Sequence, residues 1–223
     1  MRLFKMVGAW DPVSAWLYES CVAERLGTLY DRFVAAVATE VAAGSTIVDV
    51  GCGEGQVSRR LAERHPEATV IGIDLSPTMV ERAAARHGHL GNLGFRVGDA
   101  LELPFSTGTA DLVVSVASIK HWPDRLAGVK EILRVLAPGG FLCLLEADRD
   151  CSPAASRRFA SYWRPSLPPT PIVGGAYFRR FVAGQALNLD ELVGLLTRAG
   201  VVGLEARRLD ELPFVVAQAR KPA

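Results

Sequence analysis

The stretch Val48-Asp49-Val50-Gly51-Cys52-Gly53-Glu54-Gly55 decides the fold of this chain. It follows the β-branched run Thr46-Ile47-Val48 and precedes Gln56 to His65, which reads as helix. A strand, a glycine-rich turn and a helix in that order make the first βα unit of a nucleotide-binding α/β sheet. The glycines let the backbone turn tightly and let a ligand approach where a Cβ would collide.

Working outward, the same alternation continues. Thr69–Ile73 reads as a second strand, and Pro77–His87 as a helix with Ser76 as its cap and Pro77 at its first position. Phe95–Val97 is a short strand ending at Gly98-Asp99, and Asp111–Val116 is a fourth. A helix over Arg125–Leu136 stops at Pro138-Gly139-Gly140, and Phe141–Glu146 is the fifth strand. Strands and helices in this rhythm predict a parallel sheet with right-handed crossovers, its continuous apolar strands buried on both faces. Leu189–Ala199 is again helical, with Asp190 in its first turn and Gly200 past its end. Val201–Arg208 and Pro213–Ala219 are strands whose short link favours an antiparallel pair. Before the glycine turn, Ser14 to Ala43 carries apolar residues at helical spacing, with a break expected at Gly27 or Asp31.

One domain of 223 residues is long enough for a substantial core. Its parts are a helical cap (1–44), a ligand-binding core (45–146), an insertion (147–188) and a closing helix and strand pair (189–223). Net charge is +1, so no global field points to nucleic acid or an anionic membrane, although a local basic cluster would not show in that number. No apolar run approaches the length of a membrane span. The four cysteines have no metal-site spacing, and with no leader in Met1 to Trp10 reduced thiols and a cytoplasmic home are expected.

Glycine spacing discriminates between ligands. A dinucleotide turn needs G-x-G-x-x-G, but here the glycines fall at 51, 53 and 55, and Gln56 stands where NAD binding would need glycine. Asp49 sits where a pyrophosphate would be repelled and a cation welcomed. Asp74 ends the second strand, the position from which a carboxylate accepts hydrogen bonds from ribose hydroxyls.

On these residues, with Gly72-Ile73-Asp74-Leu75-Ser76, Gly98-Asp99-Ala100, Asp111-Leu112-Val113-Val114-Ser115 and Leu133-Arg134-Val135-Leu136-Ala137-Pro138-Gly139-Gly140, the chain resembles the class I S-adenosylmethionine-dependent methyltransferases. The resemblance is to the group that includes ubiquinone/menaquinone-type and natural-product enzymes, and it covers roughly residues 45 to 146. It implies a Rossmann-like α/β fold: a seven-stranded, mostly parallel sheet with an antiparallel last strand, helices on both faces, an N-terminal helical lid and an insertion after strand five. It also implies S-adenosyl-L-methionine as cofactor and S-adenosyl-L-homocysteine as product. Asp49, Gly51, Cys52 and Gly53 would surround the methionine part, and Asp74 would take the ribose hydroxyls. Leu75 and Met79 would pack near the adenine, Asp99 between Gly98 and Ala100 would receive the adenine amino group, and Val116 would lie beside the sulfonium. Carboxylates suit a cationic nucleoside that has no phosphate.

Ser118-Ile119-Lys120-His121-Trp122-Pro123-Asp124 follows strand four, over the expected methyl group. Relatives often carry His-His-Trp here; His121-Trp122 match and Lys120 departs. His121 is the candidate base, because imidazole can take a proton near neutrality; the alternative is that His121 and Trp122 hold the loop against the sheet. An in-line displacement at a sulfonium needs little acid–base help, since proximity and alignment supply about 7–11 kcal/mol. Substrate contacts are expected from Tyr18 in the N-terminal region, from His121, and from Asp148 and Arg149 just past strand five. The arginines of the insertion could receive an anionic substrate group or stay solvated.

The expected activity is methyl transfer to an O, N, S or C centre of a small organic molecule, without metal or nucleic-acid partner, by a monomer or homodimer. Two alternatives keep the binding site: use of the bound cation for cyclisation, rearrangement or decarboxylation, and a non-catalytic protein that binds the cofactor to stabilise a partner.

Overall fold

The computed structural model describes residues 27–161, 171–209 and 211–223. Seven strands form one sheet: β1 (Thr46–Val50), β2 (Thr69–Asp74), β3 (Leu93–Val97), β4 (Ala110–Val116), β5 (Leu136–Ala147), β6 (Val202–Arg208) and β7 (Phe214–Arg220). Their order is β3-β2-β1-β4-β5-β7-β6. The first five run parallel, and β7 lies antiparallel between β5 and β6. The expected mostly parallel sheet with an antiparallel last strand is therefore present. The order reverses between β1 and β4, so a crevice opens at their carboxyl ends, where ligands of open α/β sheets collect.

Both faces are covered. On one, α1 (Gly27–Val37) and α2 (Gln56–Arg64) bury Tyr30, Phe33, Val57 and Leu61 against Ile47, Val70 and Val114. On the other, α4 (Arg125–Val135) and α7 (Leu189–Ala199) bury Val129, Ile132, Leu192 and Leu196 against Val48, Val113 and Leu144. The helix α3 (Pro77–His87) is capped as its sequence dictates, Ser76 Oγ accepting from Met79 N and Pro77 filling the first turn. At α7, Asn188 and Glu191 complete a reciprocal capping box, and Gly200 ends the helix in the left-handed region (φ +92°).

Most boundaries move by a residue or less; two strand starts move further, and the insertion differs in kind. Strand three begins at Leu93 rather than Phe95, because pairing with β2 extends to Val70. Strand five begins at Leu136, which pairs with Ala110 before an irregularity brings Phe141 beside Leu112. The insertion, which breaks the alternation in sequence, holds α5 (Pro153–Ser161) and α6 (Pro171–Tyr177), the latter running into a wider turn over Phe178–Val182. The start of α5 repeats that of α3, with Pro153 in the first turn and Ser152 Oγ accepting from Ala155 N (3.0 Å). Phe159 of α5 and Phe178 of the turn after α6 hold the insertion down, packing at a tilt against each other (4.8 Å between ring centres) and edge-on against Phe214 of β7. No break occurs at Asp31, which lies inside the continuous helix α1, and residues 27–37 of the anticipated cap pack into the core; Tyr18 and the residues before Gly27 lie outside the described residues. No helix among the described residues is long and apolar enough to cross a membrane.

Candidate cofactor and methyl-transfer site

The glycine turn is pinned from two sides. Gly51 N and Cys52 N both donate to the Ile73 carbonyl (2.7 and 3.0 Å), tying the turn to the end of β2. Gly53 N donates to Asp74 Oδ2 (2.9 Å), and Ser76 N donates to Asp74 Oδ1 (2.9 Å). Asp74 thus joins the two loops with one lone pair on each oxygen and has others free to accept; burial raises its pKa, opposed by those two bonds. Gly51, Gly53 and Gly55 all have positive φ (+75°, +53° and +80°). A Cβ at Gly51 would strike Ser118, one at Gly55 would strike Phe95, and one at Gly53 would meet nothing within 4 Å. The open side of the turn is therefore at Gly53, beside Asp74. Glu54 is fastened outward by Arg82 and Arg86 of α3.

Asp49 is 1% exposed, near the end of β1, and accepts from Ser58 Oγ of α2 at 2.6 Å. Desolvation pushes its pKa up to about 7, the Ser58 bond opposing and the Asp74 charge adding to the shift. A buried carboxylate that is costly to ionise alone is one that a neighbouring cation would stabilise. Cys52, in the same turn, is half-buried, and desolvation raises its thiol pKa well above the usual range, which disfavours the thiolate.

Along the carboxyl edge toward β3, Leu75 is 49% exposed, an open apolar surface directly after Asp74. Met79 is 5% exposed and sits within the packing of α3. Asp99 is exposed; its Oδ1 accepts from Leu101 N (2.9 Å), which orders the Gly98-Asp99-Ala100 turn and leaves its other oxygen available.

Across the crevice, β4 ends at the half-buried Val116 and the chain turns through Ala117, a non-glycine residue at φ +55°. Such a conformation is held only when its surroundings over-determine it. Ala117 N donates to Leu145 O (2.7 Å), and the Ala117 carbonyl accepts from Lys120 Nζ. The next two amides, Ser118 N and Ile119 N, both donate to Glu146 Oε1 of β5 (2.8 and 2.9 Å). Ser118 Oγ accepts from Trp122 Nε1 (3.0 Å). Glu146 is 1% exposed, and its second oxygen, Oε2, is buried without a hydrogen-bond partner. Burial raises the Glu146 pKa and lowers that of Lys120, and each charge partly offsets the shift of the other. Ser58, Ser118 and Glu146 thus organise the site although the sequence reading did not single them out. The one signal available was Glu146 itself, an acid closing an otherwise apolar strand.

Trp122 is buried, its ring so close to Gly128 of α4 that a Cβ there would lie 2.4 Å from it. It holds the loop. The His121 residue is exposed at its edge, yet desolvation by the loop, followed by the charges of Lys120 and Arg125, pushes its pKa down to about 4. The imidazole is neutral at pH 7 and a weak proton acceptor. The structure places Asp148 and Arg149 in ion pairs of their own. Asp148, 2% exposed, accepts from Arg208 Nε (2.8 Å) and Asp150 N (3.0 Å), fastening β5 to β6, and Arg149 pairs with Glu191 of the α7 cap. Both bonds give these residues a structural task. A groove of about 650 Å³ between α4 and α7, lined by Trp122, Arg125, Leu187, Glu191 and Arg198, opens behind the same loop.

The residues present fit S-adenosylmethionine. The open face at Gly53, the spare acceptors of Asp74, the apolar Leu75, the exposed Asp99 and the buried Asp49 lie along one edge of the sheet, and none of them offers a phosphate cradle. Among the described residues no cluster of His, Cys, Asp and Glu could hold a metal ion.

Comparison with known proteins agrees with this geometry. Residues 47–140 match the family described as methyltransferase domain. The chain is 46% identical to the chloroplastic tocopherol O-methyltransferase of Arabidopsis thaliana over 102 residues, 44% of this chain and 29% of that protein. It is 35% identical to the demethylmenaquinone methyltransferase of Lactococcus lactis over 128 residues, 56% of this chain and 51% of that protein. The chain thus spans between about a third and about half of the length of these curated relatives. Its fold is that of the phosphoethanolamine N-methyltransferase 2 of Haemonchus contortus solved with S-adenosyl-L-methionine, with a TM-score of 0.69 at 18% identity over 96% of this chain and 58% of that one. Residues 47–140 thus match the methyltransferase-domain family, and the sheet that holds them has the Rossmann-like fold of solved methyltransferases.

Proposed function

We propose that this protein binds S-adenosylmethionine along the carboxyl edge of β1, β2 and β3 and catalyses methyl transfer to a small organic acceptor. The observation that carries the reading is the junction of Gly53, Asp74 and Ser76, which builds an open, acceptor-rich notch beside the half-exposed Leu75. The cofactor, when bound, supplies an electrophilic methyl group on a sulfonium. The chain's part is to orient and to exclude water. Asp74 accepts from the ribose, Asp49 offsets positive charge from beneath the turn, and Asp99 accepts from the adenine amino group.

The Ala117–Trp122 loop is rigidly anchored and stands where the acceptor must approach, so alignment supplies most of the rate enhancement. His121 stays neutral and can accept a hydrogen bond from an acceptor hydroxyl. The relatives named above act on tocopherol and demethylmenaquinone, which draws the proposal toward a hydroxyl-bearing acceptor of that kind. Calorimetry with S-adenosylhomocysteine and with NAD tests the cofactor: binding of the first and not the second is expected, and tight NAD binding would sink the reading. Incorporation of labelled methyl from S-adenosylmethionine into hydroquinones or other small hydroxyl compounds tests the chemistry.

A further inference from the structure

Between Ser152 and Leu189 the sequence holds five arginines and no aspartate or glutamate, while the whole chain is only +1. Positive charge is therefore concentrated on the cap and the rest of the molecule is net negative. Of these arginines Arg157, Arg158, Arg179 and Arg180 lie in the described residues, and Arg158 is paired with Glu211. Arg157, Arg179 and Arg180 are exposed.

The apolar residues of the same element are segregated. Gly174, Gly175 and Phe178 face inward, Gly175 so close that a Cβ would sit 3.0 Å from the Arg157 backbone, which places α5 directly alongside α6. Ile172, Ala176, Arg179 and Arg180 follow at helical spacing on the outward face, with Tyr177 beside them. Ile172 is 67% and Tyr177 49% exposed, so two of the five large apolar side chains exposed among the described residues stand on this one short helix.

We propose that the outward face of α6 and the following turn is a docking surface for an anionic lipid bilayer. An aliphatic and an aromatic side chain flanked by arginines suit the headgroup boundary. The apolar tips enter it, and the guanidinium groups reach back to phosphate on long apolar stems. Charge complementarity selects anionic lipid, and the exposed Ile172 separates this partner from nucleic acid, which would draw on the arginines alone. The surface depends on no property of the cofactor site.

The test is co-sedimentation of the full chain with vesicles of phosphatidylcholine alone and of phosphatidylcholine mixed with phosphatidylglycerol. Partition to the mixed vesicles at low salt, and its loss at high salt, is expected. Each arginine near such a surface is worth about fivefold in partitioning, so Arg179→Ala with Arg180→Ala should lower it roughly 25-fold. Ile172→Ser should weaken the binding that survives at intermediate salt. Unchanged thermal unfolding and S-adenosylhomocysteine affinity in these exposed-face variants would show that fold and cofactor site are intact. No partition to anionic vesicles, equal partition to neutral ones, insensitivity to the variants, or an effect of the variants on binding to a DNA duplex but not to vesicles would each overturn the proposal.

Discussion

Ser118 Oγ stands 2.0 Å from the point that a Cβ on residue 51 would occupy. The glycine turn and the loop after β4, far apart in sequence, are thus built against each other, and at residue 51 there is no room between them for a Cβ. At φ +75° any other residue is also strained. Gly51→Ala should cost roughly 1–3 kcal/mol in stability and should displace the Ser118 loop. The check is urea unfolding together with S-adenosylhomocysteine calorimetry: a fully stable variant of wild-type affinity would contradict the contact.

Asp74 bonds the amides of residues 53 and 76 and, by the proposed function, the ribose as well. Hydrogen bonds to a charged acceptor are worth about 1.5–3 kcal/mol each. Asp74→Ala should therefore weaken S-adenosylhomocysteine binding on the order of 100-fold, whereas His121→Ala should change it by less than about threefold. Similar losses in both variants would remove Asp74 from its assigned role.

The raised pKa of Asp49 has two consequences of known sign. The folded protein keeps this carboxyl protonated up to about pH 7, while the unfolded chain releases the proton near 3.8. The native state binds more protons over that interval, so this group makes stability fall as pH rises from about 4 to about 7, and adds no slope above it. A cation placed beside Asp49 favours its ionised form. Binding of S-adenosylmethionine at pH 6 should therefore release a proton, and Asp49→Asn should abolish that release. Calorimetry in buffers of different ionisation enthalpy reads it directly; equal heats in all buffers would refute the linkage.

With its pKa at about 4, His121 is unprotonated across the physiological range. The pH–rate profile of methyl transfer should show no acidic limb near 6.5 that disappears in His121→Gln. A limb at that pH, lost in the variant, would assign the histidine to proton transfer after all.

Lys120, half-buried in the loop, and the buried Glu146 each partly offset the effect of burial on the other. Lys120→Met removes the charge that partly offsets the burial of Glu146 and the bond to the Ala117 carbonyl, and should cost about 1 kcal/mol. Adding Glu146→Gln, whose amide oxygen still accepts from Ser118 and Ile119, should recover more than half of that. Urea midpoints of the two single variants and the double variant close the cycle. Purely additive losses would show that the two charges do not support each other.

Much of the site was legible from local pattern. Thr46–Val50, the positive-φ glycines, Asp74 and the Gly98-Asp99-Ala100 turn lie on strand ends, and the residues that shape a strand end are adjacent in sequence to the strand itself. The alternation of apolar strand and amphipathic helix likewise determines the parallel sheet, since only crossover connections satisfy both faces. What the pattern could not show are bonds closed over long chain separations. Ser58 to Asp49 depends on how α2 folds back on β1, Ser118 and Ile119 to Glu146 on the register of β4 with β5, and Arg208 to Asp148 on where β6 is placed.

The sequence by itself therefore determined the sheet and the edge that carries the proposed cofactor site. The tertiary structure alone decided that Asp148 and Arg149 are fastened into ion pairs, that Trp122 is buried packing, and that Glu146 holds the loop after β4. The physical reason is that a polar side chain's role follows from the partner it meets and from its burial, and neither is written in its neighbours along the chain.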